Sequence, residues 1–341
     1  MTVAVFTEVK ISISPLFAAN HQSISRNMPT ASHYLGIEIG GTKLQVFLGR
    51  DAANIVERHR FVVEPASGGE GLRTQLERII PALTKRMPLA AVGVGFGGPV
   101  DWKTGRICCS HQIEGWSEFP IASWLSSLAQ APVFVDNDAN LGALGEATHG
   151  AGAGFNPVFY VTLGSGVGGG VVLDGKVYHG APPGESEIGH LRLDRSGTIL
   201  ESHCSGWAVD AKIRAAVARN PDSTLARCVG TAAAHEAKFL SAALSQNDPF
   251  AAAILEETAQ DLAFGLSHVV HLFHPEIIVL GGGLSLIGEP LRAAVERLVQ
   301  QFIMQAFAPG PRIALAKLSE DAVPVGALYL ASKKNSETTI H

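Results

Sequence analysis

The sequence predicts an α/β protein made of two similar units with a cleft between them. The chain has 341 residues, which corresponds to roughly two domains at about 100–200 residues each. Hydrophobic residues make up 46% and charged residues 17%, so there is enough apolar side chain for a large core. Each half opens with a strand, a glycine turn and a second strand, which indicates a duplicated α/β unit.

Charge and cysteine content exclude several classes of protein. The 26 basic and 31 acidic residues give a net charge of −5, which provides no electrostatic footprint for nucleic acid. No apolar run approaches the roughly 20 residues of a membrane-spanning helix. The four cysteines form no C-x-x-C pair, which favours reduced thiols over a disulfide framework. We expect a cytoplasmic protein that binds neither nucleic acid nor membranes.

Hydrophobic periodicity predicts the elements of the first half. Residues 1–33 lack the features of a secretory signal, and we expect a disordered or non-native extension, with Met28 as an alternative start. Strands are predicted at Tyr34–Ile39, Leu44–Gly49, Phe61–Val63, Ala91–Phe96 and Val133–Val135, and helices at Gly71–Met87 and Ala139–Thr148.

The second half repeats the pattern. Strands are predicted at Val158–Leu163, Gly170–Leu173, Lys176–Tyr178, Ile277–Leu280 and Arg312–Ala316, and helices at Ala251–His271, Pro290–Phe307 and Val325–Ser332. We assign residues 34–145, with a C-terminal helix from about 322 to 335, to an N-terminal lobe and residues 146–321 to a C-terminal lobe.

Three glycine runs follow predicted strands. Gly164–Gly169 matches G-x-G-x-x-G, but a strand follows it, whereas a dinucleotide fold requires a helix there. No Walker A sequence is present. Hairpin tips with small side chains and hydroxyls let backbone N–H groups approach phosphate oxygens. One such run is most simply a tight turn, but three at strand ends favour phosphate binding.

Five motifs occur in a characteristic order. They are GIEIGGTK at Gly36–Lys43, GGPVD at Gly97–Asp101, DNDAN at Asp136–Asn140, EIGH at Glu187–His190 and VLGGG at Val279–Gly283. Together they resemble the ROK family (repressor, open reading frame, kinase) of sugar kinases, within the actin/hexokinase/Hsp70 superfamily. The resemblance extends from about Tyr34 to Ser332. It implies a two-lobe, actin-like (ribonuclease H-like) α/β fold with ATP and sugar bound in the cleft.

The resemblance also implies the nucleotide site. Its expected residues are Gly40, Gly41, Thr42, Lys43, Thr162, Gly164, Ser165, Gly166, Gly281, Gly282 and Gly283. Lys43 is either a phosphate ligand or a solvent-facing strand residue. Glu38 stands where many members have Asp, and the longer carboxylate can still hold hydrated Mg²⁺.

Asp138 is the candidate general base for the sugar hydroxyl. It follows a buried strand and precedes a helix, where ligands of open α/β sheets bind. The alternative is an N-cap for that helix; the two roles are compatible, since a positive helix end favours the ionised carboxylate.

The resemblance implies sugar contacts from Gly98, Asn137, Glu187, His190 and Glu201. For His190 a structural histidine is the alternative, and for Glu201 a solvated charge.

One departure from the family concerns zinc. Most members place three zinc-binding cysteines between the motif histidine and the later glutamate, whereas Leu191–Leu200 contains none. We therefore expect no structural zinc; a substitute site from His190, His203 and Cys204 is the less favoured alternative.

The sequence thus predicts ATP- and Mg²⁺-dependent phosphorylation of the 6-hydroxyl of a hexose, with glucose preferred and a homodimer expected. The alternatives are a fructokinase, an N-acetylhexosamine kinase, or a sugar-responsive repressor of the same family. The repressor is disfavoured because the residues before the first strand show neither helical periodicity nor a basic cluster.

Overall fold

The computed structural model describes residues 33–110, 113–184 and 186–339, and these form two compact units. Unit 1 comprises the described residues up to Leu141, Ala181–Gly184 and those from Val323 onward. Unit 2 comprises Gly142–Gly180 and the described part of Glu185–Ala322. The first boundary falls four residues before the one we assigned from the sequence, and Ala181–Gly184 joins unit 1 instead of the later lobe.

Unit 1 is built on a five-stranded sheet with the order β3-β2-β1-β4-β7. Its strands are β1 (His33–Ile39), β2 (Lys43–Gly49), β3 (Ile55–Val62), β4 (Leu89–Phe96) and β7 (Val133–Asn137), with a small ribbon of β5 (Val100–Asp101) and β6 (Arg106–Ile107). Its helices are α1 (Gly68–Thr84), α2 (Ile121–Ala129) and the start of α3 (Asp138–His149). Strand β1 is antiparallel to β2 and parallel to β4, which is parallel to β7.

Unit 2 repeats this arrangement in a sheet with the order β10-β9-β8-β11-β12. Its strands are β8 (Val158–Leu163), β9 (Val167–Leu173), β10 (Lys176–Val177), β11 (Ile277–Gly281) and β12 (Arg312–Leu315). Its helices are α4 (Glu201–Cys204), α5 (Gly206–Arg219), α6 (Thr224–Val229), α7 (Leu240–Ser245), α8 (Pro249–Phe273) and α9 (Glu289–Val299). Helix α10 (Ala322–Thr339) belongs to unit 1 from Val323 onward. Because both sheets have the same order and strand directions, the predicted duplication of an α/β unit is confirmed.

Two predicted elements differ from the structure, and several were missed. The third strand covers Ile55–Val62 instead of Phe61–Val63, because it is an edge strand whose polar residues hide its length. The helix predicted at Pro290–Phe307 ends at Val299. Helix α2 and helices α4 to α7 were not assigned individually. Helices α4, α6 and α7 span only four to six residues, too few to show a helical period, whereas α5 does carry its buried Val209, Ile213 and Ala216 at helical spacing. The prediction for residues 1–33 lies outside the described residues, apart from His33, which begins β1.

In the part of the chain that the structure covers, no helix combines the length and the apolar character needed to cross a bilayer.

Helix α10 packs against unit 1 through glycines. A methyl group at Gly326 would overlap the carbonyl oxygen of Leu141 in α3, and one at Gly93 in β4 would overlap that of Ala327. Because backbone atoms cannot move aside as side chains do, these glycines permit the close approach of helix and sheet.

We predict that Gly326→Ala destabilises the protein by about 3 kcal/mol, through overpacking against the Leu141 carbonyl. Urea unfolding followed by circular dichroism measures the change. Lys333→Ala is the matched control, because it alters an exposed residue of the same helix and should change stability by no more than about 0.5 kcal/mol. Equal midpoints for Gly326→Ala and wild type would contradict the packing described for α10.

Candidate functional site

The carboxyl ends of three parallel strands bring three motifs together in unit 1. Ile39 of β1 pairs with Phe96 of β4, which in turn pairs with Asn137 of β7, so the three strands end at the same level. Beyond them, the Gly97 N–H donates to the Ile39 carbonyl at 2.7 Å. The Gly40 N–H donates to the carbonyl of Lys43, also at 2.7 Å, and closes the turn after β1. This edge of the sheet therefore carries both glycine turns and the start of α3.

Asp138 lies beside these turns, half-buried at the start of α3. A methyl group at Gly97 would lie 3.2 Å from Asp138 Oδ2 and 3.3 Å from the Cα atom of Gly40. The carboxylate predicted to be the base thus lies next to the first predicted phosphate turn.

Asn137 caps helix α3. Its Oδ1 accepts hydrogen bonds from the N–H groups of Ala139 at 2.8 Å and Asn140 at 3.3 Å, while its Nδ2 donates to the Gly98 carbonyl at 3.2 Å. The interpretation of Asp138 as the cap is therefore wrong, since Asp138 is the first helical residue and the cap lies one position earlier. The sugar contact predicted for Asn137 stays a prediction. It would have to use the second N–H of Nδ2 or share Oδ1 with the helix N–H groups.

Buried polar groups hold this strand-to-helix junction in place. Asp136 Oδ1 accepts from the Asn137 N–H and from Asn140 Nδ2, both at 2.9 Å. Asn140 Nδ2 also donates to the Gly184 carbonyl at 3.0 Å. Asp136 and Asn140 are 2% and 0% exposed, so these bonds form away from water, where they are strongest. Sequence reasoning missed both roles, although the Asp-Asn-Asp-Ala-Asn motif contained the signal.

Glu38 and Lys43 form an ion pair across the β1–β2 hairpin. Lys43 Nζ lies 3.3 Å from Glu38 Oε1, and Gln45, the cross-strand partner of Glu38, donates its amide to Oε2. The ammonium group of Lys43 thus contacts a carboxylate, and its role as a phosphate ligand stays a prediction. One buried carboxylate beside a phosphate turn fits hydrated Mg²⁺, which keeps most of its waters and takes few protein ligands.

In unit 2, the β8–β9 hairpin carries the second predicted phosphate segment, Thr162–Gly166. The Gly164 N–H donates to the Gly166 carbonyl at 2.9 Å and closes the tip. The Gly164 carbonyl accepts from the Gly206 N–H at 2.7 Å, which connects the tip to the first turn of α5. Thr162 pairs with Gly281, so the third glycine segment begins beside the second.

The glycines of the three segments have different reasons to be glycine. A methyl group at Gly281 would overlap Tyr160 Oη, and one at Gly282, where φ is +78°, would lie 2.5 Å from the Leu163 nitrogen. Both glycines are thus required by packing. At Gly40, Gly164 and Gly283 a methyl group would meet no atom closer than 3.7 Å, and no positive φ requires glycine there. One glycine in each segment therefore leaves open space that protein packing does not explain.

The three sugar-binding candidates of unit 2 lie near one residue, Val167, at the start of β9. The turn Ile188–His190 packs on it so closely that a methyl group at Gly189 would overlap the Val167 carbonyl oxygen. Glu187 and His190, which flank that contact, have exposed side chains. Glu201 Oε2 accepts the Val167 N–H at 2.8 Å, so the alternative of a solvated charge is wrong for this half-buried carboxylate.

The segment without zinc cysteines forms a short hairpin. The Leu200 N–H donates to the Leu191 carbonyl at 2.9 Å, and the Leu193 N–H donates to that of Thr198 at 2.8 Å. Asp194 closes the turn: hydrogen bonds from the side chains of Ser196 and Thr198, despite opposing desolvation, hold its carboxyl pKa well below the usual range.

The residues of the alternative zinc site are engaged elsewhere. Burial raises the pKa of the Cys204 thiol to about 12, which disfavours the thiolate that zinc requires, and Cys204 Sγ donates to the Thr258 carbonyl at 3.5 Å. His203 Nδ1 lies 2.7 Å from Asp261 Oδ2. Glu257 completes a His–Glu–Asp group with them, but Lys212 Nζ already pairs with Glu257 at 2.9 Å. We interpret this group as a histidine–aspartate hydrogen bond beside a lysine–glutamate ion pair.

Comparison with known proteins identifies relatives along nearly the whole chain. The sequence model of the ROK family matches residues 34–334. A glucokinase from Halalkalibacterium halodurans is 30% identical over 320 residues, which cover 89% of this chain and 96% of that protein. A kanosamine kinase from Amycolatopsis mediterranei is 30% identical over 290 residues, covering 82% and 89%.

A solved structure matches as well. The ROK family glucokinase from Streptomyces griseus, crystallised in complex with glucose and AMPPNP, superposes with a TM-score of 0.78 at 28% identity, covering 89% of this chain and 100% of that one. These matches confirm the predicted family and fold class.

A stability measurement can distinguish a glycine that packing requires from a glycine beside open space. We predict that Gly283→Ala leaves the melting temperature unchanged but weakens binding of AMPPNP, because its methyl group occupies the open space. Gly282→Ala is the matched variant one residue earlier, and it should lower the melting temperature because of its positive φ and the nearby Leu163 backbone. Calorimetric scanning and titration calorimetry measure both effects; a destabilised Gly283→Ala protein would contradict the distinction.

Metal removal tests the shortened segment. We predict that the purified protein contains no stoichiometric zinc by mass spectrometry and that EDTA leaves its melting temperature unchanged, because Asp194 and backbone bonds close the hairpin. A melting temperature that falls with EDTA and recovers with zinc would show that the prediction is wrong.

Proposed function

We propose the following activity for this chain, which belongs to the ROK family and is a sugar kinase: it transfers the γ-phosphoryl group of ATP to the 6-hydroxyl of glucose. The observation that carries this proposal is the position of Asp138. Its neighbour Asn137 caps the helix, and its own carboxylate lies beside Gly97 and near the Gly40 turn. A carboxylate in that position can accept a proton next to a segment suited to phosphate.

In the proposed reaction, the 6-oxygen of glucose forms a bond to the γ-phosphorus while the bond between that phosphorus and the β,γ-bridging oxygen breaks. The hydroxyl proton passes to the Asp138 carboxylate, and ADP leaves. Phosphoryl transfer needs alignment and charge neutralisation more than covalent help, so one base and well-placed N–H donors suffice.

Three segments bind the nucleotide in this proposal. The turn Gly40–Lys43 and the hairpin tip Thr162–Gly166 present N–H and hydroxyl donors to the phosphates, and Gly281–Gly283 lies under the adenosine. The support is the open space at one glycine of each segment. Glu38 would help to hold hydrated Mg²⁺, and the bound ion would neutralise phosphate charge.

The hexose is bound by the Gly98 backbone and by the side chains of Asn137, Glu187, His190 and Glu201. Carboxylates, an amide and an imidazole suit hydroxyl groups, which both donate and accept hydrogen bonds. Glucose is preferred because the relative from Halalkalibacterium halodurans is a glucokinase and the Streptomyces griseus structure contains glucose. An amino sugar is the second candidate, supported by the kanosamine kinase relative.

We further propose that the protein acts in the cytoplasm as a homodimer. None of its four cysteines forms a disulfide, which suits a reducing compartment. Light scattering in solution determines the number of subunits.

A sugar panel tests the substrate. With ATP and Mg²⁺, we expect coupled ADP release to give the highest kcat/KM for glucose and lower values for kanosamine, mannose, N-acetylglucosamine, N-acetylmannosamine and fructose. Faster turnover of another sugar would show that this sugar, and not glucose, is the preferred substrate, and the proposed kinase activity would stand. If none of the sugars releases ADP, the proposed function is wrong.

Replacement of the base tests the mechanism. We predict that Asp138→Asn lowers kcat by about 10²–10⁴-fold, because the amide cannot accept the hydroxyl proton. Glucose binding by calorimetry and the circular dichroism spectrum should change little. Asp51→Asn, at an exposed turn of unit 1, is the control and should retain wild-type kcat. Near-normal turnover by Asp138→Asn would exclude its role as base.

A further inference from the structure

We propose that Glu201 is a positioning residue for the nucleotide segment of the β8–β9 hairpin, in addition to its predicted contact with the sugar. This inference rests on the proposed function, because it concerns how that activity aligns its two substrates. It assigns the two carboxylate oxygens different tasks: Oε2 fixes the hairpin and Oε1 faces the hexose.

The geometry that supports it is local to the hairpin tip. Glu201 Oε2 accepts the N–H of Val167, the first residue after the Thr162–Gly166 segment, at 2.8 Å. A methyl group at Gly166 would lie 2.5 Å from the same oxygen, so the carboxylate is seated directly against the tip. The absence of a side chain at Gly166 is what allows this approach.

Three described contacts hold the hairpin tip, and the one from Glu201 is made by a side chain. The Gly206 N–H binds the Gly164 carbonyl, and Gly189 packs on the Val167 carbonyl, but both contacts are made by backbone atoms. The Val167 N–H would otherwise need another acceptor, because a buried backbone donor without a partner is costly. Orientation of the hairpin amides is therefore sensitive to the side chain at position 201.

The charge at this position also requires an explanation. A carboxylate beside a segment that binds a polyphosphate repels the ligand, and a neutral amide could accept the same N–H. A carboxylate is favoured if its charge strengthens both bonds, to the Val167 N–H through Oε2 and to a sugar hydroxyl through Oε1. The Glu201 carboxylate then positions the hexose and the phosphate segment relative to each other.

Titration calorimetry with AMPPNP, in the absence of sugar, tests the positioning role. We expect Glu201→Ala to weaken AMPPNP binding about tenfold, since a hydrogen bond to a charged group is lost. Glu201→Asp should also weaken it, because the shorter side chain withdraws from Val167 and keeps the charge. Glu201→Gln should bind AMPPNP more tightly than Glu201→Ala, because its amide oxygen still accepts the N–H, but no more tightly than wild type, because it lacks the charge that strengthens that bond.

Glu187→Ala is the matched control. It removes another predicted sugar ligand, one with an exposed side chain, and should raise the KM for glucose without changing AMPPNP affinity. Circular dichroism verifies folding, and if Glu201→Ala does not fold, Glu201→Asp decides the question. If residue 201 only stabilised the fold, the AMPPNP affinity of the folded variants would not depend on whether its side chain can accept the Val167 N–H.

The outcomes separate the two proposals. Wild-type AMPPNP affinity in Glu201→Ala and Glu201→Asp would overturn the positioning role and leave the kinase activity unaffected. Equal weakening by Glu187→Ala would overturn it too, because the effect would not pass through Val167. The expected pattern in a protein that phosphorylates no hexose would support the positioning role and refute the proposed function, whereas a wild type that does not bind AMPPNP would refute both.

Discussion

The hydrogen bonds that Asn137 Oδ1 accepts from the N–H groups of Ala139 and Asn140 are the constraint on which the site in unit 1 depends. They end β7 at Asn137 and make Asp138 the first helical residue, with its carboxylate beside Gly97. The buried Asp136 and Asn140 support the junction from behind. An Asp138 that served as the cap would direct its oxygens at the helix amides. One neighbour thus caps the helix, and the other places its carboxylate where the proposed base must lie.

Unit 2 uses the same principle with different residues. The tip of the β8–β9 hairpin contains Gly164 and Gly166, so it has few side chains of its own to stabilise it. Gly206, Gly189 and Glu201 hold it from outside, two by backbone contacts and one by a carboxylate. In a chain without the zinc-binding cysteines, the Leu191–Leu200 hairpin positions the helix that carries Glu201, and Asp194 closes that hairpin.

Much of the fold and part of the site were predictable from sequence. Alternating or continuous apolar runs located most strands, and five ordered motifs indicated the ROK family, which the family match confirms. The sequence did not predict which groups pair with each other in hydrogen bonds and ion pairs. That Asn137 rather than Asp138 caps α3, that Lys43 pairs with Glu38, and that Glu201 binds Val167 are contacts between residues whose spacing in sequence does not determine their geometry. The edge strand β3 and the short helices were missed because few of their residues face the core.

A crystal structure of the protein with glucose and AMPPNP is the most direct test of the central claim. The account predicts the Asp138 carboxylate within hydrogen-bond reach, about 2.6–3.2 Å, of the glucose 6-oxygen, with the γ-phosphate on the opposite side of that oxygen. A glucose molecule whose 6-hydroxyl contacts another group, with Asp138 directed away from it, would contradict the account.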